Sequence, residues 1–270
     1  MSHMAKQLLP VKIDRGDGPV VVLLHGLGNN HKSWSFVLKH LGSSVRVVVP
    51  DLLGFGDAPK PNIEYSPADH AKAVIATLDS LSVKNTLIAG HSMGCIVAVE
   101  VAAQRPDLVS QLVLAGAPIY RRQPQGGLLD KLFHTQGVYF SIFTAIKNNP
   151  KATKFAGKVA EDTAPFVKGM EITDETWPAF RASLEYTIMQ YQTFGKLTKL
   201  QTPALFLNGI FDFFIIRRIN NQAVRANRRY LRRKTLLGPH ELTPRAGKRI
   251  ASIITGLAVR ANTQPKQPRD

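Results

Sequence analysis

At 270 residues the chain is long for one domain and short for two, and 44% hydrophobic residues provide a sizeable core, which excludes a disordered polypeptide. A balance of 35 Lys and Arg against 19 Asp and Glu gives a net charge of +16, which favours polyanions, acidic lipid surfaces or anionic substrates but says nothing of fold. The lone cysteine, Cys95, excludes an internal disulfide framework and fits a reducing compartment, hence a protein free in the cytoplasm or peripheral at a membrane. No run of about 18 apolar residues is long enough to span a bilayer. The opening MSHMAKQLLP lacks an apolar stretch that would act as a signal peptide, and its first residues look like a vector-derived leader with Met4 as the native start.

Six short apolar runs follow in chain order: Pro19–Leu24, Val45–Val49, Thr86–Ala89, Leu112–Ala115, Ala204–Leu207 and a weaker one, Lys234–Leu237. Apolar strands without alternation suit a sheet buried on both faces, and so a mostly parallel one. Between them lie helical patterns. Ser66-Pro67 forms an N-cap and first-turn proline ahead of Ala71, Val74, Ile75, Leu78 and Leu81 on one face. Met93–Gln104 and Thr243–Val259 are predicted as further helices. Strands alternating with helices predict an α/β fold with right-handed crossovers. Residues 119–198 break this rhythm, with amphipathic pieces at Leu128–Ile146 and Trp177–Phe194 and no clear strand. The expected organisation is a core in two parts (1–118 and 199–260), a helical cap inserted at 119–198, and a loose polar tail at 261–270.

Gly90-His91-Ser92-Met93-Gly94 follows an apolar strand and opens a helix, the context in which a Gly-x-Ser-x-Gly match carries chemical meaning. The tight turn favours glycine two residues on either side of the serine. It also lifts the hydroxyl over the C-terminal edge of the sheet, where open α/β sheets bind ligands. A serine hydroxyl needs a base. His134 and His240 are the histidines that follow Ser92; His134 falls in the expected cap, whereas His240 lies just after the sixth run and before the last helix. His240 is therefore the expected base. The base needs an acid to set its tautomer. Asp212 follows the fifth run in Asn208-Gly209-Ile210-Phe211-Asp212, and no acid occurs from Phe213 to Pro239. For the oxyanion, the backbone N–H groups of Met93, at the helix start, and Leu27, in the His25-Gly26-Leu27-Gly28 turn, are the candidate donors. His25 is expected to brace that turn. No metal or cofactor is expected.

These motifs resemble the α/β-hydrolase superfamily. The HGLGNN loop with Trp34 downstream is similar to its oxyanion loop, Asp51–Pro59 to its D-x-x-G-x-G-x-S segment, GHSMG to its nucleophile elbow, and GIFD and GPH to its acid and histidine loops. The resemblance spans about Val20 to Val259. It implies a Ser92, Asp212 and His240 triad and leaves the substrate open. Ala58 stands where a serine is common, and Cys95 where many relatives carry glycine; Cys95 is expected to be a small buried residue beneath the elbow rather than a second nucleophile. Superfamily members that act as haloalkane dehalogenases or epoxide hydrolases carry aspartate at the nucleophile position, so Ser92 implies ester, thioester, amide or C–C bond hydrolysis.

The cap sequence holds Leu128, Leu129, Leu132, Phe133, Tyr139, Phe140, Phe143 and Ile146, which suits packing on the core, an apolar acyl pocket above Ser92, or both. The expected function is a serine hydrolase cleaving a small ester with an apolar acyl or aromatic group through an acyl-enzyme at Ser92. C–C bond hydrolysis or acyl transfer by the same triad is the alternative, as is a non-catalytic ligand-binding protein on the same fold. Arg217, Arg218, Arg225, Arg228, Arg229, Arg232, Arg233 and Lys234 form a basic stretch without an acid. It is either a solvated face or a docking site for an anionic membrane surface. Without aromatic interleaving or a nucleic-acid motif, nucleic acid is an unlikely partner.

Overall fold

A computed structural model of the protein describes residues 7–120, 143–163 and 169–263, with side chains up to 261. Residues 1–6, where a leader is expected, His134 and the expected cap residues Leu128, Leu129, Leu132, Phe133, Tyr139 and Phe140 lie outside the described residues.

The strands are β1 (Val11–Arg15), β2 (Val20–Leu24), β3 (Arg46–Pro50), β4 (Thr86–His91), β5 (Val109–Ala115), β6 (Ala204–Gly209) and β7 (Leu231–Leu236). They form one sheet in the order β1-β3-β2-β4-β5-β6-β7. All neighbours pair in parallel except β1, which runs antiparallel to β3. β1 has no counterpart among the predicted runs. Its sequence VKIDR is half polar because it is an edge strand whose outer residues meet solvent. β7 begins three residues before the predicted run for the same reason: Arg232 to Thr235 are exposed on the opposite edge, so no apolar pattern announces it.

Each interior strand sends alternate side chains to opposite faces. Val22, Leu24, Val48, Ile88, Leu112, Leu114 and Phe206 join one apolar layer, which is covered by α2 (Pro67–Ser80) and α3 (Met93–Gln104). Val21, Leu23, Val47, Val49, Ala89, Val113 and Leu207 join the other, which is covered by α1 (Ser35–Leu38) and the final helix, Pro244–Thr263. Burial on both sides explains why these strands lack polar alternation. α2 starts as expected: the Ser66 hydroxyl accepts from Asp69 N, and Asp69 Oδ2 accepts from Ser66 N at 2.9 Å, a closed capping box. The final helix runs to Thr263, so the first residues of the predicted tail, 261–263, are helical; no proline interrupts them before Pro265.

Between β5 and β6 the described residues contain α4 (Pro150–Thr163), α5 (Trp177–Ala182) and α6 (Thr193–Lys199). The predicted helix Trp177–Phe194 is not continuous. From Ser183 to Met189 it widens into a π-helix, and the backbone breaks before α6. A π-turn admits an extra residue, which lets Leu184 and Ile188 turn into a cavity while Thr187 Oγ1 donates to Tyr65 O at 2.7 Å. These segments rest on the loops that follow β2 and β3 and on the first turn of α2. Glu171 N donates to Gly28 O at 2.7 Å, Asn30 Nδ2 to Glu171 Oε1 at 2.6 Å, and His70 Nε2 pairs with Ser183 Oγ at 3.2 Å. They therefore lie over the C-terminal edge of the sheet. The helix α7 (Arg217–Ala226) links β6 to β7.

Candidate active site

Ser92 sits between β4 and α3 with φ 52° and ψ −120°, a backbone conformation that L-residues rarely adopt. Such strain persists only where surrounding structure over-determines it. Here the surroundings do so sterically and through hydrogen bonds. A Cβ on Gly90 would lie 2.4 Å from Gly94 O, and one on Gly94 would lie 2.3 Å from Leu24 O. Ser92 N donates to Ala115 O and Cys95 N to Ser92 O, both at 2.9 Å. The Cys95 thiol is fully buried under the turn, donates to Gly90 O at 3.1 Å, and is pushed well above its ordinary pKa by burial; it is held as a thiol beneath the elbow.

The loop after β2 crosses directly over this turn, since a Cβ on Gly26 would come within 3.1 Å of Ser92 Cβ. His25 is fully buried at its base. Its Nε2 accepts from Leu52 N at 2.8 Å, so Nδ1 carries the proton and donates to Gly26 O at 2.9 Å. Burial lowers its pKa to about 4 and keeps the ring neutral, as this acceptor role demands. His25 thus clamps the β2 loop to the β3 loop and stays outside the cavity. Among the described residues neither Leu27 N nor Met93 N is spent on another hydrogen bond.

Asp212 and His240 come together from the loops after β6 and β7. His240 Nδ1 lies 3.0 Å from Asp212 Oδ1 and 2.9 Å from Oδ2, with the carboxylate side chain 1% exposed. Phe214 N donates to Asp212 Oδ1 at 2.9 Å, which fixes the carboxylate from its own loop. With Nδ1 engaged, Nε2 on the opposite side of the ring is the nitrogen left for a substrate-side proton. Ser92 and His240 line one cavity of about 610 Å³, walled largely by apolar side chains including Leu27, Phe143, Ile146, Met170, Ile172, Phe180, Leu184 and Ile188. All three residues expected to form the triad, and the Leu27 turn, therefore converge on one side of the sheet.

Two residues around this pair were not singled out in the sequence. His91, next to Ser92, donates from Nε2 to His240 O at 2.8 Å, and its ring lies 5.0 Å from that of His240. Burial lowers its pKa to about 4, so it is neutral and Nδ1 is left as a buried acceptor without a partner. A histidine beside Ser92 gives no signal of its own, because its partner is a backbone carbonyl 149 residues away. Gly116, at φ +61°, lies just beyond β5, where a Cβ would come 3.0 Å from His240 Nδ1 and 3.1 Å from Asp212 Oδ2. Among the described residues no group of three or more His, Cys, Asp or Glu could hold a metal ion, and no helix is long and apolar enough to cross a membrane.

Comparison with known proteins agrees with this architecture. An esterase from Thermogutta terrifontis superposes with a TM-score of 0.75 at 19% identity, covering 94% of each chain. A bromoperoxidase from Bacillus anthracis superposes with a TM-score of 0.67 at 20% identity, covering 92% of this chain and 94% of that one. These likenesses concern the fold. In sequence, an uncharacterized protein of Mycobacterium bovis is 40% identical over 102 residues, or 38% of this chain and 30% of that protein. A haloalkane dehalogenase of Mesorhizobium japonicum is 32% identical over 128 residues, or 45% of this chain and 41% of the dehalogenase. The chain thus spans less than half of either curated relative. The family model for the alpha/beta hydrolase fold matches residues 19–175, from β2 past the elbow and through α4. With more than half its length matched, and with the strand order just described, the chain belongs to the α/β-hydrolase fold family.

Proposed function

We propose that the protein is a serine hydrolase that cleaves a small carboxylic ester with an apolar acyl or aromatic group. The observation that carries this reading is the set of Ser92 and the Asp212–His240 pair around one apolar cavity. Ser92 Oγ attacks the carbonyl carbon while its proton passes to His240 Nε2. Asp212 holds the Nδ1–H and stabilises the imidazolium without taking its proton. The N–H groups of Leu27 and Met93 receive the oxyanion. Collapse expels the alcohol, which takes the proton from His240, and water then releases the acid through the same groups in reverse.

The dehalogenase likeness does not extend to that chemistry: as the family resemblance implies, halide and epoxide opening use an aspartate where this chain carries Ser92. The apolar cavity wall favours a hydrocarbon or aromatic acyl group over a sugar or peptide. C–C bond hydrolysis and acyl transfer would use the same atoms, and a binding protein could keep the same cavity. A panel of p-nitrophenyl esters of graded acyl length, run with wild type and Ser92→Ala, tests the reading. Turnover lost in Ser92→Ala, together with labelling of Ser92 by a fluorophosphonate, supports it. Undiminished turnover in that variant refutes it.

A further inference from the structure

The loop that carries Asp212 has an outer side as unusual as its inner one. Asp212 itself is buried, but its neighbours point outward: Phe213 is 79% exposed and Phe211 54% exposed. Ile210 and Leu237 are exposed beside them, joined through Ile210 N to Leu236 O at 2.9 Å and Phe211 N to Gly238 O at 3.1 Å. Two large aromatic and two aliphatic side chains thus share one exposed patch at the C-terminal edge of β6 and β7. Contiguous exposed apolar surface of this kind marks an interaction site.

The patch adjoins the mouth of the cavity. Cavity-lining residues that are themselves exposed show where it opens: Ala152 and Ala156 of α4 on one wall, and Phe214 of this loop on the other. α4 turns a further exposed aromatic, Phe155, and Val159 outward, with Lys151 and Lys158 around them.

Charge says what covers the loop. Arg217 and Arg218 start α7 directly after it, both exposed, and among the described residues no carboxylate pairs with either. The basic stretch of the sequence is not one patch. α7 is about 15 Å long, so Arg225 lies at its far end, and Arg228 and Arg229 lie in the turn beyond it. Arg232 and Arg233 lie on the edge strand β7, where charge serves to block pairing with another sheet. Only Arg217 and Arg218 directly continue the apolar loop. Aromatic side chains are flanked by arginines with no acid from Phe213 to Pro239, and Glu241 is the one carboxylate among the described residues that line the cavity; the balance complements a surface that is hydrocarbon within and anionic at its headgroups.

We infer that the Ile210–Phe214 loop and the Arg217–Arg218 turn dock the protein on an anionic lipid bilayer, with the cavity mouth turned towards the membrane. Phe211 and Phe213 insert at the headgroup boundary, and the two arginines meet lipid phosphates. An apolar substrate dissolved in the bilayer would then reach Ser92 without crossing bulk water. The docking itself does not depend on the chemistry at Ser92.

The test is co-sedimentation of the full chain with phosphatidylcholine vesicles, with and without phosphatidylglycerol, in the Ser92→Ala background so that hydrolysis plays no part. Strong binding to phosphatidylglycerol vesicles, weak binding to phosphatidylcholine alone, and loss of binding at high salt are expected. Phe211→Ser/Phe213→Ser should weaken binding by about tenfold or more. Arg217→Gln/Arg218→Gln should weaken it by about thirtyfold, at roughly 1 kcal/mol per arginine. Arg232→Gln/Arg233→Gln removes the same charge from the β7 edge and should change binding by less than about threefold. Thermal melts show that each variant is folded. Equal losses in the two arginine pairs would mean diffuse adsorption and overturn the inference. So would equal binding to the two vesicle types, or a dimer that dissociates in Phe211→Ser/Phe213→Ser while wild type ignores vesicles.

Discussion

The two sides of the candidate site are built differently. Ser92 hangs from β4, an interior strand whose six residues are all buried between β2 and β5. Its strained backbone is held by direct contact, with Gly90 and Gly94 pressed against neighbouring main chain. Asp212 and His240 hang from β6 and β7, of which β7 is an edge with four consecutive residues exposed. They are held mainly by hydrogen bonds: Asp212 to His240 and Phe214 N, and His91 to His240 O. Ser92 is placed by steric necessity, the Asp212–His240 pair by a polar network. Steric placement fails as loss of fold, whereas network placement fails as loss of alignment with the fold intact.

That contrast can be broken in several ways. The largest effect is expected at the nucleophile side. Ser92→Ala should reduce ester kcat by on the order of 10⁶-fold. Gly94→Ala, whose Cβ would be forced to 2.3 Å from Leu24 O, should destabilise the fold by about 4 kcal/mol or more. Denaturant titration checks this; a stable, soluble Gly94→Ala protein would show that the elbow can relax. On the other side, Asp212→Asn should lower kcat by about 10⁴-fold, as expected for loss of the tautomer lock. Its thermal midpoint should stay close to wild type, and unfolding of this variant would erase the proposed difference between the two sides. Gly116→Ala tests the same side more gently. Its Cβ presses on both His240 Nδ1 and Asp212 Oδ2 from a left-handed backbone, so kcat should fall by tens-fold for a stability loss of about 1–2 kcal/mol. An active Gly116→Ala enzyme would mean that the pair can shift without penalty.

The smallest effect concerns acid. His70 is fully buried, and desolvation lowers its pKa from 6.5 to about 3. The unfolded chain binds this proton below pH 6.5 while the folded protein resists it. The stability is therefore present above pH 6.5 and is lost as pH falls from there towards 3, by at most about 1.4 kcal/mol per pH unit for each such histidine. His25 and His91 act in the same direction down to about pH 4. His70→Phe should flatten the fall in melting temperature between pH 6.5 and 4; an unchanged slope would place the acid sensitivity elsewhere.

Much of this was legible in the chain. Interior strands are apolar on both faces, so their ends could be marked, and chemistry-bearing residues at strand ends in the order Ser, Asp, His pointed to one edge of one sheet. The strands that escaped notice, or were placed late, were β1 and the first half of β7. They are edges, and an edge strand is permitted the polar residues that disguise it. His91 and Gly116 escaped for another reason. A histidine bonded to a distant carbonyl and a glycine pressed against a distant side chain leave no local pattern. The π-turn in Ser183–Met189 was hidden because its residues keep an ordinary helical character, and the widening comes from how the helix must reach both Tyr65 and the cavity.

The feature with most bearing on biology lay on the boundary between these cases. Periodicity, turn chemistry and strand polarity are local, and they were sufficient to specify an α/β sheet with a serine at its C-terminal edge and to flag a run of eight basic residues. Which of those charges act together is a question of distance in space. Folding sets Arg225 at the far end of α7 and Arg232 and Arg233 in the first half of β7, whereas Arg217 and Arg218 directly follow the loop at the cavity mouth. It also turns Asp212 inward while its neighbours Phe211 and Phe213 turn out. Adjacent residues thereby acquire opposite roles, because a loop at the end of a buried strand has one side facing the core and the other facing whatever lies outside.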